Sequence, residues 1–398
     1  METGAVTEAF TTRNVRSRRR LLTVGHSYVI GVNRRLAHEM SRVGADTWEV
    51  TCVAPSRYYA DHGWADFTAE PGEASRALGV PAYGTRSPHL FAYGPGLRSL
   101  LRERWDAIYA WEEPYALSGW QISAWSRPDA VFTISTLQNI RKRYPPPFSW
   151  FEQQALSRAD GWIYCGESAL VALGDKPGYA DRPSHLGPLG VDLELFRADP
   201  AARRAVREEL GWTAEGAPVI GYVGRFVPEK GLDLLMRALD GLQTPWRALF
   251  IGGGVLEPEL RRWMSRRPDQ VRIVSVPHAK VPPYVNAIDL LCAPSQTAKN
   301  WREQFGRMLI EAGACGIPVI GSDSGEIPYV IGDAGIVVGE NDEPGWRARI
   351  EELLESPERR RELGERGLAR ARAKYAWPVV ARGYLDFMEA LLEKRARG

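Results

Sequence analysis

The chain has 398 residues, of which 44% are hydrophobic and 25% are charged. One hydrophobic core rarely grows to this length, so two domains of ordinary size are predicted. The 51 lysine and arginine residues against 49 aspartate and glutamate residues leave a net charge of +2. That balance argues against a nucleic-acid-binding protein, because phosphate contacts need a large basic excess. The four cysteines form no CxxC pair, which predicts reduced thiols and a cytoplasmic protein.

Residues 1–20 are polar and lack the apolar segment of a signal peptide. We interpret them as a disordered tail that ends at the first strand. The arginine-rich run at residues 16–20 leaves a second interpretation open, a peripheral contact with an anionic lipid surface at the inner face of a membrane. No stretch of the sequence approaches the roughly 18 apolar residues of a membrane span.

Between residues 21 and 190, short apolar runs alternate with helical or turn-rich segments, as in a parallel sheet with helical crossovers. The first strand is followed by a glycine-bounded loop, residues 25–31, and by a helical pattern that starts near Val32. Strands are predicted at residues 21–25, 47–54, 107–110, 130–134 and 161–164. A glycine- and proline-rich break at residues 187–192 ends this unit.

The same alternation begins again after the break. Strands are predicted at residues 218–224, 248–251, 271–274, 290–293, 318–321 and 335–338, and helices at 232–239, 256–264 and 308–314. The fold class is therefore α/β, with two doubly wound, Rossmann-like domains over residues 21–190 and 191–377 that face a central cleft. A terminal helix within residues 378–398 suits either domain, and we expect it to pack back on the N-terminal one. Ligands should bind at the carboxyl ends of the strands, in the cleft.

The densest functional pattern is EQFGRMLIE, residues 303–311, which follows a strand and a polar loop. A helix is predicted to start at Phe305–Gly306, where unpaired amides and the helix dipole suit a phosphate. Glu311 is set back along this helix and is placed to accept both hydroxyls of a ribose. Glu303 would face a more distal group. Either glutamate alone is also compatible with a capping or surface position.

A second pattern is GRFVPEKG, residues 224–231, again between a strand and a helix. It places Arg225 and Lys230 on one loop. Fixed cations there would stabilise the negative charge that develops on a leaving pyrophosphate. The alternative is a solvated loop in which one of the cations forms a salt bridge with Glu229.

These two patterns resemble the C-terminal domain of the retaining glycosyltransferases of the GT4 group, which have the GT-B fold. The resemblance extends from Gly221 to about Val338 through GRFVPEKG and EQFGRMLIEAGACGIPVIGSDSGEIPYVI, and it includes the region around Trp377. The N-terminal half resembles the group more weakly, through GHSYVIGVNRRLAHEM, EEPYALSGWQ, QNIRKRYPPPFSWFE and GPLGVDLELF. Together these segments cover nearly all of the chain after residue 20.

The resemblance implies roles for residues of the C-terminal domain. Arg225 and Lys230 would hold the diphosphate. Glu311 would hold the ribose, and Glu303 the hydroxyls of the donor hexose. Further contacts with phosphate or sugar would come from Gln304, Phe305, Gly306 and Arg307. For the segment 323–326, contact with the donor and absence of contact are equally compatible with the sequence.

In the N-terminal domain, the resemblance implies that Gly31 approaches the phosphates and that His26 lies on the acceptor side. Glu112 and Glu113 follow a predicted strand. They are compatible with a position facing the acceptor and equally with an acidic pair at the surface. The N-terminal domain would therefore bind the acceptor, and the C-terminal domain the donor.

The chain departs from the group after the strand at residues 131–134. Many members carry a histidine there, near the donor sugar, whereas this chain continues with STLQN. Gln138 and Asn139 are the candidates for the polar contact that the histidine would otherwise make, and a different residue is the alternative.

Neither a metal nor a cofactor is expected. No Asp-x-Asp motif lies in a loop suited to a magnesium diphosphate, and the six histidines show no ligand spacing. The two cations and the helix start would replace the metal. A serine hydrolase is not supported because GxSxG is missing. The glycines 252–254 lack the GxGxxG spacing and indicate a tight strand-to-helix turn.

The sequence therefore predicts a metal-independent, retaining transfer of a hexosyl group from a nucleotide-diphosphate sugar, a UDP- or GDP-sugar first, to a hydroxyl acceptor. Glycans, lipid-linked saccharides and natural products are all possible acceptors, and the base would be read around residues 276–278. Monomer and homodimer both remain open. Two alternatives are a nucleotide-sugar epimerase or phosphorylase on the same fold, and an inactive donor-binding subunit of a glycosylation complex.

Overall fold

The computed structural model describes residues 18–60, 63–212 and 216–397. The predicted N-terminal tail lies outside these residues as far as residue 17, as does the start of its basic run. Arg19 and Arg20, which the sequence places in the tail, belong instead to the first strand. The Arg20 amide donates to Asp106 at 2.7 Å, and its guanidinium lies 4.1 Å from the ring centre of Trp105. These contacts extend the strand by two residues.

The N-terminal domain alternates strands and helices, with two small antiparallel pairs added to the main sheet. Its strands are β1 (Arg19–Val24), β2 (Trp48–Pro55), β3 (Arg57–Ala60), β4 (Gly63–Asp66), β5 (Arg76–Val80), β6 (Ala82–Tyr83), β7 (Ala92–Tyr93), β8 (Ala107–Ala110), β9 (Val131–Thr136), β10 (Gly161–Tyr164) and β11 (Ser184–Leu186). Its helices are α1 (Arg35–Val43), α2 (Pro95–Arg102), α3 (Leu117–Trp125), α4 (Phe148–Arg158) and α5 (Glu167–Leu173).

The C-terminal domain follows the same plan and is succeeded by the last helix of the chain. Its strands are β12 (Val219–Arg225), β13 (Arg247–Gly253), β14 (Val271–Val274), β15 (Leu290–Ala293), β16 (Val319–Ser322) and β17 (Gly335–Val338). The helices are α6 (Pro200–Glu209), α7 (Leu232–Asp240), α8 (Glu257–Ser265), α9 (Val281–Ala287), α10 (Arg307–Ala314), α11 (Ile327–Ile331), α12 (Glu343–Glu355), α13 (Pro357–Arg370) and α14 (Trp377–Arg397).

Both main sheets reverse their strand order at their first strand. In the described part of the chain the orders are β11-β10-β9-β8-β1-β2-β5 and β14-β13-β12-β15-β16-β17. Every pairing within them is parallel. Ligands of such sheets bind beyond the carboxyl ends of the strands at the switch point. The prediction of two doubly wound domains is confirmed.

Burial explains why the central strands read as continuous apolar runs. Every residue of β8, β9 and β10 is buried, as expected for a parallel sheet that is covered on both faces. Several helices carry local start signals. Proline is the first or second residue of α6, α12 and α13. The preceding side chains of Asp199, Asp342 and Ser356 accept hydrogen bonds from backbone amides of the first turn.

The first helix starts later than the sequence pattern indicates. A helix starting near Val32 was predicted, but Gly31–Arg34 form a 3-10 turn and α1 begins at Arg35. The side chain of Arg34 is buried and donates to the carbonyl oxygens of Tyr28 and Thr68, each at 2.7 Å. These tertiary contacts hold the tight turn, and the local periodicity does not reveal them.

The chain passes between the domains twice at one place. The amide of Val191, on the way out of the N-terminal domain, donates to the carbonyl oxygen of Tyr375 at 2.7 Å on the way back. Helix α14 then packs on the N-terminal domain and contributes Tyr384, Leu385 and Met388 to its hydrophobic core. Among the described helices, none has the length and apolar character needed to cross a membrane.

Candidate functional site

The carboxyl ends of the two sheets face each other across the cleft, and polar contacts join them. The Asn139 side-chain amide donates to the carbonyl oxygen of Glu303 at 2.8 Å. Gln304 donates to the carbonyl oxygen of Leu137 at 3.3 Å. The two domains therefore meet at the segment where the sequence placed the site.

Glu303 lies at the centre of this segment. Its side chain is buried, and its Oε2 atom forms an ion pair with Lys230 and accepts a hydrogen bond from the Ser295 hydroxyl at 2.8 Å. Its carbonyl oxygen also accepts from the amide of Glu326 at 2.9 Å. A buried carboxylate needs such partners because desolvation of an unpaired charge is costly. Glu303 is thus held at both its side chain and its backbone.

The two predicted cations lie on the loop after β12. Arg225 is the last residue of that strand, and Lys230 ends a 3-10 turn, Pro228–Lys230. The following Gly231 has φ +68°, and a side chain there would collide with the carbonyl oxygen of Pro294. The close approach of these two loops brings Lys230 to Glu303. The salt bridge to Glu229 that the sequence left open is not the contact that Lys230 makes.

Helix α10 begins at Arg307, one residue after the predicted start. Its N-cap is Gly306, with φ +82° and no side-chain cap, so the first amides of the helix are left for other partners. Phe305 is buried, and its ring packs edge-on against that of Tyr375. The guanidinium of Arg307 lies 3.5 Å from the side-chain oxygen of Asn33 across the cleft. The helix start therefore faces the N-terminal domain.

Glu311 is buried on the same helix and pairs with a residue that sequence reasoning assigned elsewhere. Its Oε1 atom lies 2.8 Å from Nε2 of His278. His278 belongs to the segment 276–278 that was predicted to read the base. The structure therefore places this segment beside the predicted ribose carboxylate. No local sequence pattern indicates this pairing, because 33 residues separate the two side chains.

A cavity of about 630 Å³ lies next to the loop after β12 and next to His278. This volume is within the range of ligand pockets in proteins, about 300–1,000 Å³. Gly252 and Gly254 line the cavity. The predicted turn is confirmed only for Gly254, because Gly252 and Gly253 still belong to β13 and the connection to α8 begins after them. The remaining lining residues are Val223, Gly224, Arg225, Val227, Ile251, Gly253, Val255, Ser275, Val276, His278 and Val281.

In the N-terminal domain, His26 and Glu112 form a closely bonded pair. The amide of His26 donates to Glu112 at 2.7 Å, and the Nδ1 atom lies 2.8 Å from the same carboxylate. Glu112 also accepts from the hydroxyls of Tyr93 and Ser118. Burial disfavours the charged ring, but Glu112, with a contribution from Glu113, raises the pKa of His26. The acidic surface pair is wrong for Glu112, which is 3% exposed.

The side chain of Glu113 is hydrogen-bonded to the end of β9. Its carboxylate accepts from the Thr136 hydroxyl at 2.6 Å and from the Leu137 amide at 2.8 Å. Burial raises the pKa of Glu113 to about 7, although both hydrogen bonds act in the opposite direction. This places a titrating carboxyl group beside the loop that crosses to Glu303.

The other candidates of the N-terminal domain differ in what they contact. Gln138 is held within its own loop, where it donates to the carbonyl oxygen of Ile140 and accepts from the Tyr144 hydroxyl. Asn139 is the one of the two that reaches Glu303. Gly31 lies in the 3-10 turn before α1, and a side chain there would collide with the carboxyl group of Glu70.

The segment 323–326 contains two acids with different partners. Asp323 accepts from the amide of Glu340 at 2.8 Å, within the C-terminal domain. Glu326 instead reaches the N-terminal domain, where its carboxylate accepts from the amides of Glu167 and Ser168. Sequence reasoning missed this contact, because its partners are 158 and 159 residues away. The one available signal for this contact is that Glu326 is an acid directly after a glycine turn, at a position that is buried in the fold.

We expect the substitution Glu113→Gln to remove a pH dependence of stability. Because the pKa of Glu113 is raised above the ordinary 4.5, the folded state binds the proton more tightly than the unfolded state. This contribution is fully present below the unfolded pKa and is lost as the pH rises through about 7. The melting temperature of the wild type, relative to Glu113→Gln, should fall between about pH 4.5 and about pH 7.

The control is the exposed Glu49→Gln, which should keep the wild-type profile. Parallel profiles for the wild type and Glu113→Gln across this range would contradict the raised pKa of Glu113.

Comparison with known protein families gives two matches. The family described as glycosyl transferases group 1 matches residues 206–370, and the glycosyl transferase 4-like domain matches residues 31–183. The two matches follow the division of the chain into its two domains.

Among curated relatives, D-inositol 3-phosphate glycosyltransferase of Segniliparus rotundus is 34% identical over 54% of this chain and 49% of its own length. A GDP-mannose-dependent monoacylated alpha-(1-6)-phosphatidylinositol monomannoside mannosyltransferase of Corynebacterium glutamicum is 30% identical over 55% of this chain and 58% of its own. The chain thus spans about half the length of the first of these relatives and 58% of the second. D-inositol 3-phosphate glycosyltransferase of Thermobispora bispora is 30% identical over 73% of this chain and 72% of its own.

Solved structures share the fold over most of the chain. Anabaena Alr3699/HepE in complex with UDP has a TM-score of 0.71 at 18% identity, covering 94% of this chain and 100% of that one. Sucrose-phosphate synthase from Thermosynechococcus elongatus has a TM-score of 0.70 at 19% identity, covering 95% and 100%. The predicted GT-B fold is confirmed by these neighbours.

Proposed function

Because the chain belongs to the GT4 family of GT-B glycosyltransferases, we propose that it transfers a hexosyl group from a nucleotide-diphosphate sugar to a hydroxyl acceptor. One observation carries the proposal. The ion pair of Lys230 with Glu303 and the start of α10, which has no side-chain cap, lie at the interdomain cleft. Arg225 on the same loop as Lys230, and His278 beside Glu311, line a cavity of about 630 Å³. Cations, free amides and buried carboxylates are the groups that bind a diphosphate flanked by two sugars.

In this proposal the diphosphate contacts Arg225, Lys230 and the first amides of α10. Their positive charge stabilises the leaving group as it gains negative charge in the transition state. Glu311 binds the hydroxyls of the ribose, and Glu303 those of the transferred hexose. Both carboxylates are buried and already hydrogen-bonded, so they are fixed in position before the donor arrives. Gln304, Phe305, Gly306 and Gly31 complete the donor side.

The acceptor side is proposed to be the carboxyl edge of the N-terminal sheet. Nδ1 of His26 is engaged by Glu112, so an acceptor hydroxyl in the cleft meets the ring through Nε2. Glu113 lies on the loop after β8 and contacts the loop after β9, where Asn139 joins the acceptor side to Glu303. Gln138 supports this loop. Uracil and guanine are the proposed bases of the donor, since one relative is named for GDP-mannose and a structural neighbour contains UDP.

The proposed reaction retains the configuration of the anomeric carbon and uses no metal. The bond between the anomeric carbon and the diphosphate oxygen breaks, and its electron pair stays with that oxygen. The acceptor oxygen bonds to the same face of the carbon and gives its proton to the departing diphosphate. The pairing of Glu303 with Lys230 suits a binding role rather than nucleophilic attack. Two cations and a helix dipole supply the charge that a metal would otherwise provide.

A thermal-shift screen against UDP, GDP, ADP and their common sugars tests the donor site. A ligand that binds only the native state raises the melting temperature by mass action, here by a few degrees at about 100 times Kd. We expect one nucleotide to give a clear shift that Glu311→Ala abolishes. The matched control is the exposed Glu358→Ala, which should keep it. Equal shifts in wild type and Glu311→Ala would contradict the ribose role.

Turnover with the donor identified in this way tests the reacting end of the site. We expect Glu303→Gln and Lys230→Ala each to lower kcat by about 100-fold or more, as loss of transition-state charge stabilisation does. Their effects should not add in the double variant, because the two side chains form one pair. Lys394→Ala, near the end of α14, is the control.

Near wild-type turnover in either variant would overturn that residue's role. Conversion of the free donor without an acceptor would favour the epimerase or phosphorylase alternative. Nucleotide binding without any turnover would favour the inactive subunit.

A further inference from the structure

Glu326 is a C-terminal-domain residue whose side chain is buried in the N-terminal domain. It lies between β16 and α11 and is 3% exposed. Its Oε1 atom accepts a hydrogen bond from the amide of Glu167, and its Oε2 atom from the amide of Ser168, both at 2.8 Å. These amides open helix α5. The carboxylate therefore supplies the N-terminal cap of a helix in the other domain.

The N-terminus of α5 leaves space for the carboxylate of Glu326. Its N-cap position is Gly166, which has no side chain to accept hydrogen bonds from the first amides of the helix. A Cβ atom on Gly166 would overlap the carboxyl group of Glu326. Burial raises the pKa of Glu326, while the hydrogen bonds from Ser168 and Glu167 oppose that shift. The amides and the helix dipole thus offset the cost of removing the carboxylate from water.

The same residue is joined to Glu303 through its backbone. The Glu326 amide donates to the Glu303 carbonyl oxygen at 2.9 Å. Asn139 of the N-terminal domain donates to that oxygen at 2.8 Å. The preceding Gly325 has φ +58°, and a side chain there would collide with the Glu303 backbone. A movement of α5 would therefore reach Glu303 through Glu326, because the side chain of Glu326 is bonded to α5 and its backbone amide is bonded to Glu303.

We propose that Glu326 is a positioning residue that holds the cleft closed and thereby sets the position of Glu303. We call its two hydrogen bonds to Glu167 and Ser168 the latch contact. The contact exists only while the domains are together. When they separate, the carboxylate and both amides return to water. The coupling to Glu303 rests on the proposed transferase function, whereas the closure itself does not.

Closure is measured first, without any substrate. One spin label is placed on each domain through the exposed positions Tyr83→Cys and Glu358→Cys. The four native cysteines are buried, so labelling is directed to the introduced sites. Electron-electron double resonance then gives the interlabel distance distribution for the parent and for variants at Glu326 and Gly166.

We expect Glu326→Ala and Gly166→Ala to shift the distribution to other distances and to broaden it, and Glu326→Gln, which keeps one acceptor oxygen, to lie between them and the parent. The control is Asp333→Ala, an exposed acid just beyond α11, which should match the parent. If Glu326→Ala leaves the distribution unchanged, the latch is refuted. This variant decides the question even if Gly166→Ala fails to fold.

The second measurement separates positioning from general structure. With the donor found by thermal shift, Glu326→Ala should lower kcat by about tenfold or more, in the range of coupling between sites, and leave nucleotide affinity within about twofold. Glu326→Gln should restore part of kcat. A changed distance distribution with unchanged kcat would refute the coupling to Glu303. If the parent transfers no sugar at all, the proposed function fails while the distance result still decides the latch.

Discussion

Glu303 is a buried acid at the point where the two domains meet, and the closed cleft depends on how its groups are paired. Its carboxylate is satisfied by Lys230 and Ser295 from its own domain. Its carbonyl oxygen is satisfied by Asn139 across the cleft and by the amide of Glu326. A charge buried without such partners would be expensive, so the segment is stable only when the surrounding loops are all in place. The tight turn at Gly231 serves this arrangement by bringing one loop against the other.

The proposed chemistry uses groups that are already paired within the protein. Lys230 and Glu303 neutralise each other, and Glu311 is paired with His278. A diphosphate placed between Arg225 and Lys230 would share the lysine with Glu303 rather than meet an isolated cation. Preorganised pairs of this kind cost little reorganisation during the reaction, which is the condition for effective electrostatic stabilisation. Domain closure then excludes water from the cleft and strengthens each of these interactions.

The sequence predicted the elements better than the contacts between them. The alternation of apolar runs was sufficient for the C-terminal sheet, but in the N-terminal sheet it missed the edge strands β5 and β11. The glycine and proline positions located the turns around β12 and α10. The start of α1 was misplaced because Arg34 makes tertiary contacts that no local pattern contains. The hairpin of β3 and β4 was not predicted, since each of its strands has only four residues. The pairing of Glu326 with α5 joins residues nearly 160 positions apart, and a single sequence carries no record of such proximity.

The proposed transfer requires the donor to lie on the loop after β12 and on the start of α10. The decisive experiment is a crystal structure of the protein with the nucleoside diphosphate that it binds. We expect phosphate oxygens within hydrogen-bonding distance of Arg225, Lys230 and the first amides of α10, with the ribose hydroxyls on the carboxylate of Glu311. A diphosphate bound away from these cations, or a ribose that does not contact Glu311, would contradict this placement of the donor.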